Sequence, residues 1–176
     1  FEVLTFETDQ STIYHQTFYS IHGELKDQFY ETYRKFIKNE IAPLFDEPIL
    51  YQRIPTFRTQ VPHNLGVAEW HKDEDYNHAS EEVNIFLPLT DAYGNTTVWA
   101  ESKPGKADYT PMDATVGEYY VWHGSRLMHG NQLNDTDKSR VSIDFRVLPL
   151  SKYEESERTS TSNNTKMTIG HYWAQI

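Results

Sequence analysis

Arg140-Val141-Ser142-Ile143-Asp144-Phe145-Arg146-Val147-Leu148 is the stretch whose reading decides the fold. Successive side chains of an extended chain point to opposite sides, so Val141, Ile143, Phe145 and Val147 share one face, and Arg140, Ser142, Asp144 and Arg146 share the other. An apolar face backed by an ionic one has two explanations. Either an antiparallel sheet turns its polar face to water, or a barrel-like wall, covered outside by a helix, turns it toward an internal cavity. The strand alone leaves both open.

Working outward, short β-branched and aromatic runs alternate with turn residues from Tyr51 to Pro149. Strands are expected around 54–60, 66–72, 82–89, 96–100, 114–123, 128–132 and 140–148, the pattern of a sandwich or small barrel. Before them, Leu25, Phe29, Tyr33, Phe36, Ile37 and Ile41 recur at steps of three and four, which predicts a helix over 23–45 ended by Pro43. After them, Ser151–Asn164 has almost nothing to bury and reads as a mobile polar arm leading to Met167–Trp173. The 176 residues predict one domain over 1–176: a helical part over about 1–50, a β core over about 51–150 and a polar C-terminal arm over 151–176.

Composition narrows the chemistry. Sixteen Lys and Arg against 26 Asp and Glu give a net charge of −10, which disfavours nucleic acid and anionic lipid as partners and favours a small-molecule substrate. There is no cysteine, so thiolate zinc sites, iron–sulfur clusters, disulfides and cysteine nucleophiles are all excluded, and any metal must be held by His, Asp or Glu. A mean hydropathy of −0.71 and the lack of any long apolar run give the expectation of a soluble, cytoplasmic protein. The sequence begins at Phe1 rather than Met, so trimming or processing of its start is expected. The oligomeric state is not legible.

Two motifs carry the chemistry. His71-Lys72-Asp73 sets an imidazole and a carboxylate on one side of an extended chain, able to grip one ion. Alone it is weak, because chance supplies roughly 0.5 such pairs in this composition. His129 followed eleven positions later by Arg140, with Ser142 after it, is expected by chance only about 0.02 times. Two His and one carboxylate on neighbouring strands form a facial triad that leaves coordination positions open on non-haem iron. A hairpin through 134–137 would set Arg140 on the strand adjacent to His129.

On His71, Asp73, His129, Arg140 and Ser142, the chain from about Ile54 to Leu148 resembles the iron(II)/2-oxoglutarate-dependent oxygenases. Within them it resembles the phytanoyl-CoA-hydroxylase-like branch and is similar to hydroxylases of the streptomycin-biosynthesis type. The resemblance implies a mainly β fold, a double-stranded β-helix (jelly roll, cupin-like) with an N-terminal helix packed outside. It implies Fe(II) held by His71, Asp73 and His129, O2 as oxidant, and 2-oxoglutarate as co-substrate, decarboxylated to succinate while a substrate is hydroxylated. Arg140 would pair with the far carboxylate of 2-oxoglutarate and Ser142 would donate a hydrogen bond to it. Nothing in the sequence marks a coenzyme A site.

His123 has the same strand parity as His129, but only His129 keeps the family's spacing to Arg140. His15, His22, His63, His78 and His171 read as solvated, with His78 near enough to the motif to edge a pocket. Arg58, Gln60, Asn84, Trp99 and Arg146 are candidates for substrate contact or for support of the site, Arg146 being the fallback for 2-oxoglutarate. The polar strand face and the acidic charge favour a small polar substrate, neutral or cationic, over a long acyl chain. Two other classes compete: a non-catalytic jelly-roll carbohydrate-binding module, and a cupin metalloenzyme independent of 2-oxoglutarate. Neither needs a carboxylate clamp at the spacing of Arg140 and Ser142.

Overall fold

The computed structural model describes residues 12–66, 69–160 and 164–176; positions 67–68 of the expected strand over 66–72 and 161–163 of the polar arm lie outside them. Among the described residues two helices come first, α1 (Ile13–Tyr19) and α2 (Gly23–Phe36). The helical path continues past α2 with a changed pitch, through a π turn over Ile37–Ile41 and a 3-10 turn over Ala42–Leu44. The α-helix proper therefore ends at Phe36, short of the stop expected at Pro43; Pro43, which has no N–H to give an α-helical ladder, lies inside the final 3-10 turn. Tyr33, Ile37 and Ile41 point inward at steps of four and are buried, whereas Leu25, at the helix start, is 63% exposed.

Nine strands follow among the described residues: β1 (Ile49–Gln52), β2 (Thr56–Gln60), β3 (Val83–Pro88), β4 (Val98–Ala100), β5 (Thr110–Pro111), β6 (Tyr120–Trp122), β7 (His129–Asn131), β8 (Arg140–Pro149) and β9 (Trp173–Gln175). They form two antiparallel sheets, so the fold is mainly β with helices at its N-terminal end. One sheet has the order β6-β3-β8-β1-β9 with β2 also on β8; the other is β5-β4-β7. Strand β8 is the spine. Its first half pairs with β2 (Arg58 opposite Ser142, Gln60 opposite Arg140) and its end pairs with β1, while β3 runs along its other edge.

The alternation of β8 now acquires a direction. Phe145 and Val147 join Tyr33, Ile37, Ile41, Ile49, Tyr51 and Ile85 in one cluster, so α2 and the turn after it cover the apolar face. The opposite face looks toward the smaller sheet, where Phe86 packs with Ala92, Ala100 and Met112. Arg140 is only 2% exposed and Ser142 fully buried, so the polar face is turned inward rather than to water.

Two expectations need correction. No hairpin joins β7 to β8: β7 pairs with β4 and β8 lies in the other sheet, so Arg140 reaches the site from the opposing sheet. The chain between them is tied instead to 63–64 through the backbone of Asn134, whose side chain also holds Lys138 and Thr136, which makes the connection a wide crossover. In 66–72 the described residues contribute one bridge, His71 to His129, rather than a strand. Beyond the polar stretch expected over 151–164 the chain is anchored: β9 pairs with β1, and Met167, Tyr172 and Trp173 bury themselves with Leu50 and Leu148. Among the described residues no helix is long and apolar enough to cross a membrane.

Candidate metal centre

His71 and His129 face each other through two backbone hydrogen bonds of 2.9 Å, each N–H donating to the other's carbonyl. This pairing carries the rings to 4.4 Å between centroids. In each ring Nδ1–H donates to the carbonyl two residues earlier, Glu69 for His71 and Leu127 for His129, at 2.8 Å. That fixes the tautomer with the proton on Nδ1 and leaves the Nε2 lone pairs for a third party.

Asp73 arrives by a different route from the extended chain expected. It is the first residue of a 3-10 turn (Asp73–Tyr76), held by its own N–H donating to the Gly124 carbonyl at 3.0 Å. Its Oδ1 lies 3.6 Å from Nε2 of His71 and 3.7 Å from Nε2 of His129. Those separations exceed hydrogen bonds. They are close to the ~3–3.5 Å between neighbouring donors around an ion with bonds of about 2.1 Å. The three donor atoms lie within 4.8 Å of one another, and no other such trio of His, Cys, Asp or Glu occurs among the described residues.

The second oxygen of Asp73 is already engaged. Oδ2 accepts from Asn84 Nδ2 at 2.7 Å and from Arg146 Nε and Nη2 at 2.9 and 2.8 Å. Burial would raise the Asp73 carboxyl, but the Arg146 guanidinium outweighs it, with help from His71 and His129, and holds the group well below the usual carboxylate range. Burial pushes His129 down to about 4, against the opposing pull of Asp73, so its ring is neutral at neutral pH. An anionic carboxylate and a neutral imidazole are the states a divalent ion requires.

The trio opens onto a cavity of about 60 Å³ that is partly open to solvent, whose wall includes Arg58, Asn84, Trp122, Arg140 and Asp144. Two glycines shape it. A Cβ on Gly130 would lie 2.7 Å from the Trp70 ring, and one on Gly124 would lie 2.7 Å from Asn84 Nδ2 and 2.9 Å from Trp122. Trp122 in turn sets its edge on the His129 ring at 4.8 Å.

The remaining sequence candidates separate. Arg140 borders the cavity; its Nη1 donates to Ser142 Oγ at 2.7 Å, its Nε to the Thr96 carbonyl at 3.0 Å and its Nη2 to Gln60 Oε1 at 3.3 Å. Gln60 lies behind it, donating to the Asn64, Asn95 and Gln132 carbonyls. Arg146 serves Asp73 rather than the end of the cavity where Arg140 lies. Trp99 is not in the cavity: its neighbour Val98 takes the inward position on β4, and the Trp99 indole N–H donates to the Gly94 carbonyl. His123 is exposed in the turn before β7, and His129 is the one that meets Asp73.

Two histidines expected in water are buried. His78 is 9% exposed with Nδ1 2.7 Å from Glu82 Oε2, and His15 is 2% exposed against Phe57. Glu82 itself was missed; it sits 3.9 Å behind Arg146, and its position four residues after His78 was the signal available. A larger depression of about 590 Å³ lies between 74–82 and the C-terminal segment, and the ligating trio does not face it.

No protein-family profile matches the chain. Among solved structures it is similar to the nickel complex of ThoJ, a non-haem monooxygenase, with a TM-score of 0.55, 16% identity, and coverage of 84% of this chain and 71% of that one. It is also similar to EvdMO1, with a TM-score of 0.51, 23% identity, and coverage of 66% of this chain and 32% of that one. At such identities the likeness is one of fold. In sequence the chain is 41% identical over 174 residues to the streptomycin biosynthesis protein StrG of Streptomyces griseus, which covers 99% of this chain and 81% of that protein. The chain belongs to the family of the streptomycin biosynthesis protein StrG.

Proposed function

We propose that the chain is an Fe(II)/2-oxoglutarate-dependent dioxygenase of the phytanoyl-CoA-hydroxylase-like branch, built on a double-stranded β-helix, that hydroxylates a small polar metabolite. The observation that carries this reading is the arrangement at one cavity of a His–Asp–His donor set and, on the facing sheet, Arg140 backed by Ser142. The non-haem monooxygenase with the similar fold and the biosynthetic relative support an oxygenase role.

The donor set suits Fe(II): two imidazoles and one carboxylate, with positions left open. His71, Asp73 and His129 would hold the ion, which when bound supplies activation of O2 coupled to decarboxylation of 2-oxoglutarate to succinate. The chain does the positioning. The carbonyls of Glu69 and Leu127 aim both Nε2 atoms inward. Asn84 and Arg146 occupy Asp73 Oδ2, so Asp73 offers the ion Oδ1 alone, which preserves room for other ligands. Arg140, held in place by the Thr96 carbonyl, Ser142 and Gln60, presents a guanidinium of fixed orientation to the far carboxylate of 2-oxoglutarate. Ser142 Oγ accepts from Arg140 and retains its own proton to donate to that carboxylate.

The test is anaerobic addition of Fe(II) and 2-oxoglutarate, which should give a weak visible charge-transfer band and, with air and substrate, succinate. Asp73→Ala should abolish the band at matched concentrations. An unchanged band in that variant, or none in the wild type, refutes the reading.

A further inference from the structure

Four buried side-chain polar atoms have no hydrogen-bond partner among the described residues: His15 Nε2, Arg58 Nη1, Asn84 Oδ1 and Trp122 Nε1. Three of them belong to residues that line the cavity of the metal trio. Orphaned buried donors and acceptors are rare because each carries an uncompensated desolvation cost, and a cluster of them at one cavity points to a ligand that completes them.

The three atoms ask for different chemistry. Arg58 stands on β2 opposite Ser142, and its Nε is taken by Asp144 Oδ1 at 3.2 Å. Its unmatched Nη1 is a cationic donor, best met by an oxyanion. On the other flank, Asn84 and Trp122 oppose each other directly across β3 and β6, and both press on the backbone of Gly124. The amide of Asn84 is oriented without ambiguity, because the nitrogen must be the atom that donates to the Asp73 carboxylate. Its oxygen is therefore an acceptor, on the same flank of the cavity that carries the Trp122 donor. A hydroxyl group suits this pair, since it can accept from an indole N–H and donate to an amide oxygen.

Charge points the same way. The cavity is lined by three guanidiniums, Arg58, Arg140 and Arg146, and two carboxylates, Asp73 and Asp144. A divalent ion and doubly negative 2-oxoglutarate cancel each other, which leaves the lining with one positive charge in excess. The net charge of −10 favours neutral or cationic substrates at the surface; the cavity reverses that preference locally.

We propose that the primary substrate is a small hydroxylated acid, its carboxylate or phosphate held by Arg58 and one of its hydroxyls held between Trp122 and Asn84. This rests on the reading of the same cavity as an oxygenase site with 2-oxoglutarate at Arg140. Calorimetric titration of the Mn(II)- and 2-oxoglutarate-loaded protein, without O2, tests it with four probes of one ring: glucuronate, glucose 6-phosphate, glucose and glucosamine. Both sources of the anion are thereby represented. At least one acid should bind roughly tenfold or more tightly than glucose, and glucosamine no better than glucose. Arg58→Met should erase that margin and Arg58→Lys keep part of it, whereas Trp122→Phe should weaken glucose and the acids by similar factors. Equal or better binding of glucose or glucosamine, or no binding of either acid, overturns the proposal. So does a loss of 2-oxoglutarate affinity in Arg58→Met measured without any probe, which would place Arg58 on the co-substrate. Failure of wild-type protein to bind 2-oxoglutarate with Mn(II) would instead sink the oxygenase reading.

Discussion

Arg146→Met removes a positive charge that the site holds permanently, in a side chain of similar length. The guanidinium gives Asp73 two charge-assisted bonds of 2.9 and 2.8 Å, and the two side chains are 12% and 3% exposed. Breaking one partner of such a pair leaves a buried, uncompensated carboxylate, at a cost of about 3–5 kcal/mol. Urea unfolding of the metal-free variant should show that loss. The folded-state Asp73 carboxyl lies below its unfolded value of 3.8, so the stabilisation is present above about pH 4 and fades as pH falls through the folded value. The deficit of the variant should therefore be full at pH 7 and shrink in acid. A divalent ion on Oδ1 supplies positive charge of its own, so saturating Mn(II) should narrow the gap between variant and wild type by about 1 kcal/mol or more through linkage. Adding Asp73→Asn should cost less in the variant than in wild type, since the stranded charge is already the problem. A loss under about 1 kcal/mol, or a gap that metal leaves unchanged, would show that Arg146 does not hold Asp73 for an ion.

Gly130→Ala would drive a methyl into the Trp70 ring at 2.7 Å, next to His129; a loss of about 1–3 kcal/mol and weaker Mn(II) binding by titration are expected, and wild-type values for both would show that the Trp70 contact is soft. Burial, aided by Arg58, pushes His15 down to about 4, below its unfolded value of 6.5, so the unfolded chain binds the proton first and stability should fall by up to about 3 kcal/mol as pH drops from 6.5 toward 4. His15→Gln should flatten that part of the pH–stability curve; parallel curves would contradict the assignment. Trp173→Ala should cost about 3–5 kcal/mol and expose the β9 amides to hydrogen exchange, because Trp173 is 2% exposed and anchors the C-terminal segment.

What the sequence made legible was local periodicity and short spacing. Strand β8 announced itself through alternation, and the His71-x-Asp73 and His129-x10-Arg140-x-Ser142 spacings brought five residues to one neighbourhood. What stayed hidden depended on partners far along the chain. Strand β1 is buried at all four positions, so it has no alternation to detect, and β9 follows a polar stretch that masks it. The inward residue of β4 was hidden too, because the start of the strand sets which neighbour turns inward, and Val98 rather than Trp99 took that place. The partner of Arg146 stayed hidden for a related reason: the side chain shares a face with Arg140, but only the approach of the turn at Asp73 decides which carboxylate it meets. The glycines at 124 and 130 matter through rings and amides packed against them, contacts that no spacing encodes.

The two faces of β8 also explain how so polar a site survives inside a small protein. Gln60, Asp73, Glu82, Asn84, Arg140 and Ser142 are each no more than 5% exposed, and desolvating such groups opposes folding even when most are paired. The compensation lies a strand's thickness away. Phe145 and Val147, on the other side of the same backbone, are fully buried against Tyr33, Ile37, Ile41 and Ile49, and each such side chain contributes on the order of 1.5–3 kcal/mol. Because one strand carries both sets, a slip of register by a single residue would expel the apolar set from the helix contact and the arginines from the cavity together. The outer cluster thus does more than stabilise the fold. It fixes the register at which Arg140, Ser142 and Arg146 meet their partners, so loosening the contact of α2 with Phe145 should disturb the site some distance from any residue that touches it.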